Sequence, residues 1–155
     1  MAVNEKIKAY LDGAGVVWEA REHPETMSSA EEARALGVDP DEVAKTLVLR
    51  DSAGYALVVI PGGHRLDMHK AREVMGDNHA RLATEDEMAA EFPDFDLGAV
   101  PPAPGLLSLR CLVDPLVEER EWIAFPAGSH TDSVRMKTAD LLGLGETQTA
   151  GLVQG

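Results

Sequence analysis

Cysteine is nearly absent. Cys111 is the only one in the chain, so no internal disulfide can form, and a reducing, cytoplasmic setting is expected. Aromatic residues make up only 5%, which leaves aliphatic side chains to build the core. No apolar run approaches the roughly 20 residues of a membrane span; Tyr55–Ile60 is among the longest. Met1 leads into Asn4, Glu5 and Lys6 with no apolar signal core, so nothing suggests export. H-E-x-x-H and C-x-x-C spacings are missing, and His64 and His69 stand five apart, so neither a metal nor a cofactor is expected. Gly62-Gly63 precede no P-loop lysine, and no G-x-S-x-G elbow occurs, which argues against a nucleoside-triphosphate cradle and an α/β-hydrolase serine.

Positive charge is also scarce. Fourteen Lys and Arg face 27 Asp and Glu, for a net charge of −13. Such a balance disfavours tight, sequence-blind binding to nucleic acid or to an anionic membrane, and neither DNA nor a membrane is an expected partner. The deficit is uneven. Residues 43–72 hold Lys45, Arg50, Arg65, Lys70 and Arg72 against Asp51 and Asp67 alone. Residues 126–139 hold Arg135 and Lys137 against Asp132, with His130 among them. Any anion that binds should meet these two stretches.

What is present fits one globular domain. At 155 residues with 45% apolar and 26% charged side chains, the chain can bury a single core without staples. Asn4 caps a first helix that Gly13 stops, and Ser28-Ser29-Ala30-Glu31-Glu32 opens a second that ends at Gly37, by the usual cap chemistry. Val43–Arg50 and Tyr55–Ile60 flank Asp51-Ser52-Ala53-Gly54 and read as a hairpin. The second of these strands is apolar on both faces, which makes it central. Asp67 caps a helix to Met75, and Thr84 with Glu87 forms a further capping box. Leu107–Val113, Glu121–Phe125 and Ser133–Met136 read as strands, and Thr138 caps a last helix. The expected fold is α+β, with one mixed, largely antiparallel curved sheet surrounded by short helices. Residues 1–144 are expected to form the domain and 145–155 a flexible tail.

Lys45 is the most informative position. Strand alternation puts it on one face with Val43, Leu47 and Leu49, and puts Thr46 on the other. A lysine on an apolar face either snorkels to water or meets an anion at the floor of a pocket. Gly98-Ala99-Val100-Pro101-Pro102-Ala103-Pro104-Gly105 is a stiff loop, because its three prolines fix φ and remove donors. It serves either as a connector or as a steric gauge. Ala127–Asp132 turns the chain between two strands, and His130 there could donate to an anion or place a water. Ser129, His130 and Asp132 do not form a triad, since near-neighbours in one turn do not reach its geometry. Cys111, in register with Leu107, Leu109 and Val113, belongs to the core.

These pieces together resemble the YbaK family of aminoacyl-tRNA deacylase domains, which also occur as an editing insert in bacterial prolyl-tRNA synthetases. The resemblance rests on Glu22-His23, the small-residue helix from Ser29 to Gly37, Val43-Ala44-Lys45-Thr46-Leu47-Val48, Arg65-Leu66-Asp67 with Lys70, Gly98-Ala99-Val100-Pro101-Pro102, and Ala127-Gly128. It runs from the first helix to about Leu142. It implies hydrolysis of the ester joining a wrong amino acid to the terminal ribose of a tRNA. Lys45 matches the family lysine, and Gly98–Pro102 matches the loop that gauges the side chain. His23, Thr46, Gly128 and His130 would line the remaining walls. Family members are thought to let the neighbouring ribose hydroxyl assist the attacking water. The implied partners are the acceptor end of an aminoacyl-tRNA and an aminoacyl-tRNA synthetase. The chain departs from the family pattern at Arg21, where an aromatic residue is common, at Ser133, where an acid is common, and in a loop one residue longer. Two other readings stay open: a non-catalytic module that holds a tRNA end or a synthetase, and a general small-ester hydrolase.

Overall fold

The computed structural model describes residues 3–155. In chain order the elements are α1 (Glu5–Gly13), β1 (Trp18–Glu22), α2 (Ser29–Leu36), a 3-10 turn (Pro40–Glu42), β2 (Ala44–Asp51), β3 (Gly54–Pro61) and α3 (Met68–Met75). Then follow β4 (Arg81–Leu82), α4 (Glu85–Glu91), α5 (Pro104–Leu107), β5 (Arg110–Val113), α6 (Pro115–Glu118), β6 (Trp122–Pro126), β7 (Asp132–Lys137), α7 (Thr138–Leu142) and β8 (Gln148–Thr149). No helix among the described residues is long and apolar enough to cross a membrane.

The α+β class and its antiparallel-rich, mixed pairing are as the sequence implies, but the strands form two sheets. One is antiparallel, in the order β1-β7-β6; the other is mixed, in the order β4-β2-β3-β5-β8. A single parallel bridge, Val43 to Ala124, joins them. The β2–β3 hairpin pairs along its whole length, from Ala44 opposite Pro61 to Asp51 opposite Gly54. Its turn is built by Asp51, whose Oδ1 accepts from the Ala53 and Gly54 amides.

Strand β3 carries the packing. Leu57, Val58, Val59 and Ile60 are all fully buried, because each face of the strand looks into a separate apolar cluster. Leu57 and Val59 join Ile7, Leu11, Val113, Phe125 and Met136 in the larger one. Val58 and Ile60 join Leu49, Ala71, Met75, Leu112 and Leu152 in the smaller. An apolar strand without alternation therefore marks a sheet covered on both sides.

Helix caps follow the sequence closely. Asn4, Ser28, Asp67 and Thr84 each accept from backbone amides in the first turn of the helix that follows. Gly37 and Gly76 end α2 and α3 in the left-handed region, at φ 72° and 71°, where a Cβ would be strained.

Two expectations need correction. The strand expected from Leu107 begins only at Arg110, because Pro104 starts a helical turn that Ser108 ends at φ 55°. The segment 145–155 is not a loose tail. β8 adds to the sheet beside β5, and Leu152 is 0% exposed. The Leu152 amide donates to Asp114 Oδ2 at 2.8 Å, and its carbonyl accepts from the Asp67 amide at 2.7 Å. Lys70 Nζ closes the segment with a 2.8 Å bond to the Val153 carbonyl. A short strand pairing, one buried leucine and a set of hydrogen bonds to backbone and to Asp114 dock a stretch whose composition shows no periodicity.

Leu152→Ala is therefore expected to lower unfolding free energy by about 2–5 kcal/mol, the range for emptying a buried leucine site. Urea denaturation checks this; an unchanged midpoint would mean that the segment is not part of the cooperative unit.

Candidate functional site

Strand β2 has a gap in its pairing. On one side it runs beside β3 throughout. On the other, Val43 bridges to Ala124 and the Val48 carbonyl accepts from Ala83 at 2.9 Å, while β4 pairs only with Leu49 and Arg50. Between these points residues 45–47 border a cavity of about 240 Å³. Backbone groups along a strand alternate in direction. Thr46 therefore points its N–H and C=O the same way as Val48, toward the open edge. The cavity wraps this edge, so Lys45 and Thr46 both line it although their side chains lie on opposite faces.

The other walls come from three separate segments. Thr26, Met27, Ser28, Ser29 and Glu32 come from the approach to α2 and from its first turn; Leu97 and Gly98 come from the long loop; Pro126 and His130 come from the β6–β7 turn. Gly62 fixes the position of α2. A Cβ there would lie 2.7 Å from the Ser29 Cβ and 2.8 Å from the Pro40 carbonyl oxygen, so any side chain would push the helix start outward. Gly98 adopts φ 81°, which is strained for other residues.

His130 acts as a strut. Its Nε2–H donates to the Leu97 carbonyl at 2.7 Å, which ties the loop to the turn. Its own carbonyl accepts from the Thr26 amide at 3.0 Å, which ties the turn to the α2 approach. Ser129 and Thr131 both donate to Asp132 Oδ2, each at 3.0 Å. His130 bonds to neither Ser129 nor Asp132, so no triad exists there.

Of the residues singled out in the sequence, Lys45, Thr46, Gly98 and His130 meet at the cavity. Ala99, Val100, Pro101 and Pro102 are buried behind Gly98 and do not line it. Gly128 is buried against Asn4, where a Cβ would lie 2.7 Å from the Asn4 Cβ. Its carbonyl accepts from Asp96 at 2.9 Å and so holds the loop. His23 stands behind the wall, with Nδ1–H donating to the Pro24 carbonyl at 2.8 Å. Three other cations of the 43–72 stretch are engaged elsewhere. Arg50 pairs with Glu87 at 3.6 Å, Lys70 reaches Val153, and Arg72 donates to the Ala80 carbonyl at 2.8 Å. Lys45 forms no ion pair among the described residues and is the lysine that lines this cavity. Cys111 is no nucleophile, because burial pushes its thiol up to about 12.

Glu32 is the residue that sequence reasoning missed. It reads as part of a capping box, but Glu31 stands at the capping position: its amide donates to Ser28 Oγ, and its Oε2 accepts from the Met27 amide, one residue before the cap. Glu32 instead shares the buried face of α2 with Ala33 and Leu36 and is 3% exposed. A carboxylate at helical spacing from Leu36 was the available signal. Ser133 Oγ donates to its Oε2 at 2.5 Å, and His23 Nε2 lies 2.8 Å from the same hydroxyl. With Nδ1–H committed to the Pro24 carbonyl, Nε2 and the carboxylate compete for the single Ser133 O–H unless the chain of three carries one further proton. Such a proton sits either on His23, with Glu32 ionised, or on Glu32, with His23 neutral. Both forms are uncharged overall. Burial raises the Glu32 carboxyl above its ordinary range; the Ser133 hydrogen bond and the charges of His23 and His130 pull it back in part.

The comparisons agree with this architecture. The family described as the aminoacyl-tRNA editing domain matches residues 23–144, and the chain belongs to it. The proline–tRNA ligase of Shouchella clausii is 33% identical over 92 residues, which is 59% of this chain and 15% of the ligase. That of Thermosipho melanesiensis is 25% identical over 91 residues, 59% of this chain and 16% of the ligase. The chain thus spans only a small fraction of the curated relatives it matches. The crystal structure of a candidate trans-editing enzyme for prolyl tRNA synthetase superposes with a TM-score of 0.86 at 26% identity, over 98% of this chain and 97% of that one.

The raised Glu32 carboxyl sets a pH dependence. The native state holds the proton more tightly than the unfolded chain, so stability falls as pH rises from the ordinary carboxylate range to the raised one. Glu32→Gln removes this cost and keeps an acceptor for Ser133. Its Tm is expected to match wild type at acid pH and to exceed it above that interval, by about 2–4 °C for each kcal/mol relieved. Melting curves across pH for both proteins check this.

Proposed function

We propose that this chain is a deacylase that hydrolyses mischarged aminoacyl-tRNA in trans, with Lys45 orienting the substrate. The observation that carries the reading is the Lys45 ammonium, without a protein counter-ion, beside a cavity sized for an amino acid. Its volume of about 240 Å³ lies below the roughly 300–1,000 Å³ of drug-sized sites. It suits one side chain and its ester, with the nucleoside outside. Met27 and Leu97 stand at its mouth, 78% and 52% exposed. They offer an apolar rim for the terminal adenine.

The chemistry asks little of the protein. An aminoacyl ester is already activated, so water can attack the carbonyl carbon if it is held in place. The new carbon–oxygen bond forms, the ribosyl oxygen leaves, and a water proton ends on that oxygen. The neighbouring ribose hydroxyl is suited to relay it. Negative charge gathers on the carbonyl oxygen in the transition state. Lys45 and the outward N–H of Thr46 are placed to stabilise it. Thr46 contributes through this backbone N–H; its Oγ1 is buried without a hydrogen-bond partner and presents no surface to a ligand.

Side-chain selection falls to the Leu97–Gly98 segment, with the buried Ala99–Pro102 stretch stiffening it from behind. His130 and Gly128 hold that segment by the hydrogen bonds described above. A partnership with an aminoacyl-tRNA synthetase accords with the synthetase relatives.

A panel of tRNAs misacylated with alanine, cysteine and serine tests this reading. Wild type should release at least one of these amino acids. Lys45→Ala should lower kcat/KM on it by about 10²–10³, the usual loss for one transition-state donor. Equal rates for the two proteins would remove Lys45 from the mechanism. Binding of a non-hydrolysable aminoacyl-adenosine without turnover of any ester would instead support a non-catalytic module.

A further inference from the structure

The cavity holds two opposite charges that do not meet. Lys45 and Glu32 both line it, yet they form no ion pair with each other. Glu32 is 3% exposed; its Oε2 accepts from Ser133, and its Oε1 makes no hydrogen bond among the described residues. Burying a carboxylate without full compensation is costly, and the cost falls when an opposite charge arrives. A ligand that relieved both groups would carry a cation at one end and a partial or full negative charge at the other. An aminoacyl ester has this pattern: an α-ammonium on one side of the carbonyl carbon, and the carbonyl oxygen and terminal phosphate on the other.

We propose that Glu32 reads the α-ammonium group of the substrate, so that the site favours esters with a free amine over their neutral α-hydroxy counterparts. The proposal rests on the deacylase reading and adds to it a specificity-determining residue. Ser133 is its positioning residue, because it holds Oε2 and leaves Oε1 free for a ligand. His23 balances the charge from behind. The other polar residues lining the cavity are Thr26, Ser28, Ser29, Lys45, Thr46 and His130. None of them can offer an acceptor carboxylate to an amine.

The test compares two esters of one tRNA: the amino acid cleaved fastest in the panel, and the same ester with hydroxyl in place of the amine. The pair differs little in size, so exclusion by bulk does not enter. Each enzymatic rate is divided by the uncatalysed hydrolysis rate of that ester, which removes the intrinsic effect of the ammonium on reactivity. Wild type is expected to prefer the free amine by tenfold or more in normalised kcat/KM. Glu32→Gln should bring the ratio near one, chiefly by slowing the amine substrate, and Ser133→Ala should narrow it. A structural role for Glu32 would slow both esters alike and leave the ratio unchanged. Equal normalised rates in wild type, or an unaltered ratio in Glu32→Gln, would overturn the inference while leaving the deacylase reading in place. Failure of wild type to cleave any aminoacyl ester would overturn both. The wild-type comparison stands even if a variant fails to fold.

Discussion

The unpaired edge of β2 is the constraint from which the rest follows. Two sheets meet at one bridge between Val43 and Ala124, and the next support on that side begins at Val48. A strand edge left open inside a protein must have its backbone groups satisfied or solvated. Here the vacancy is walled rather than filled, by α2, the Leu97–Gly98 segment and the His130 turn. The walls are fixed by bonds that do not involve the cavity itself: His130 to Leu97, Thr26 to His130, Asp96 to Gly128. Three segments distant in the chain are thereby braced against one another. A rigid site on a small scaffold follows from this bracing, because each wall holds its neighbour.

Charge arrangement gives the cavity its chemical character. The protein is strongly acidic, with a net charge of −13, yet most cations of its more basic stretch, residues 43–72, serve structure. Arg72 and Lys70 hold the Ala80 and Val153 carbonyls, and Arg50 pairs with Glu87. Lys45 is spared such a partner. Opposite it stands a carboxyl that burial drives toward its neutral form and that a serine–histidine chain allows to ionise without net charge. This is an economical way to keep an acid inside a fold, since the chain of three is neutral in either proton arrangement. It also leaves the group ready to respond to a cation. On the proposed reading no strong nucleophile is needed, because an aminoacyl ester is already an activated bond.

The docked C-terminal segment has a different role. Asp114 accepts from Leu116 through Oδ1 and from Leu152 through Oδ2. One buried carboxylate thus caps α6 and anchors β8's continuation. That contact closes the smaller core beneath β3, on the side away from Thr46. The sheet that carries Lys45 is stiffened from below by residues that lie beyond the family match, which ends at residue 144.

Much of this was legible in the sequence, because it depends on near neighbours. Caps at Asn4, Ser28, Asp67 and Thr84, the Asp51–Gly54 turn and the all-apolar β3 are decided within a few residues by hydrogen-bond reach and side-chain period. Lys45 on an apolar strand also stood out, as a charge where the period calls for none. The sequence could not place Thr46 beside Lys45. Alternation assigns them to opposite faces, and only an open strand edge brings both to one space. It could not separate Glu31 from Glu32, since one residue of helical rotation decides which carboxylate caps and which is buried. Nor could it tell that Ala99–Pro102 turn inward while Gly98 faces the cavity, or that Leu152 docks. Those outcomes depend on contacts between segments tens of residues apart. Local preference carries no record of such contacts, because their energy exists only once the chain has closed on itself.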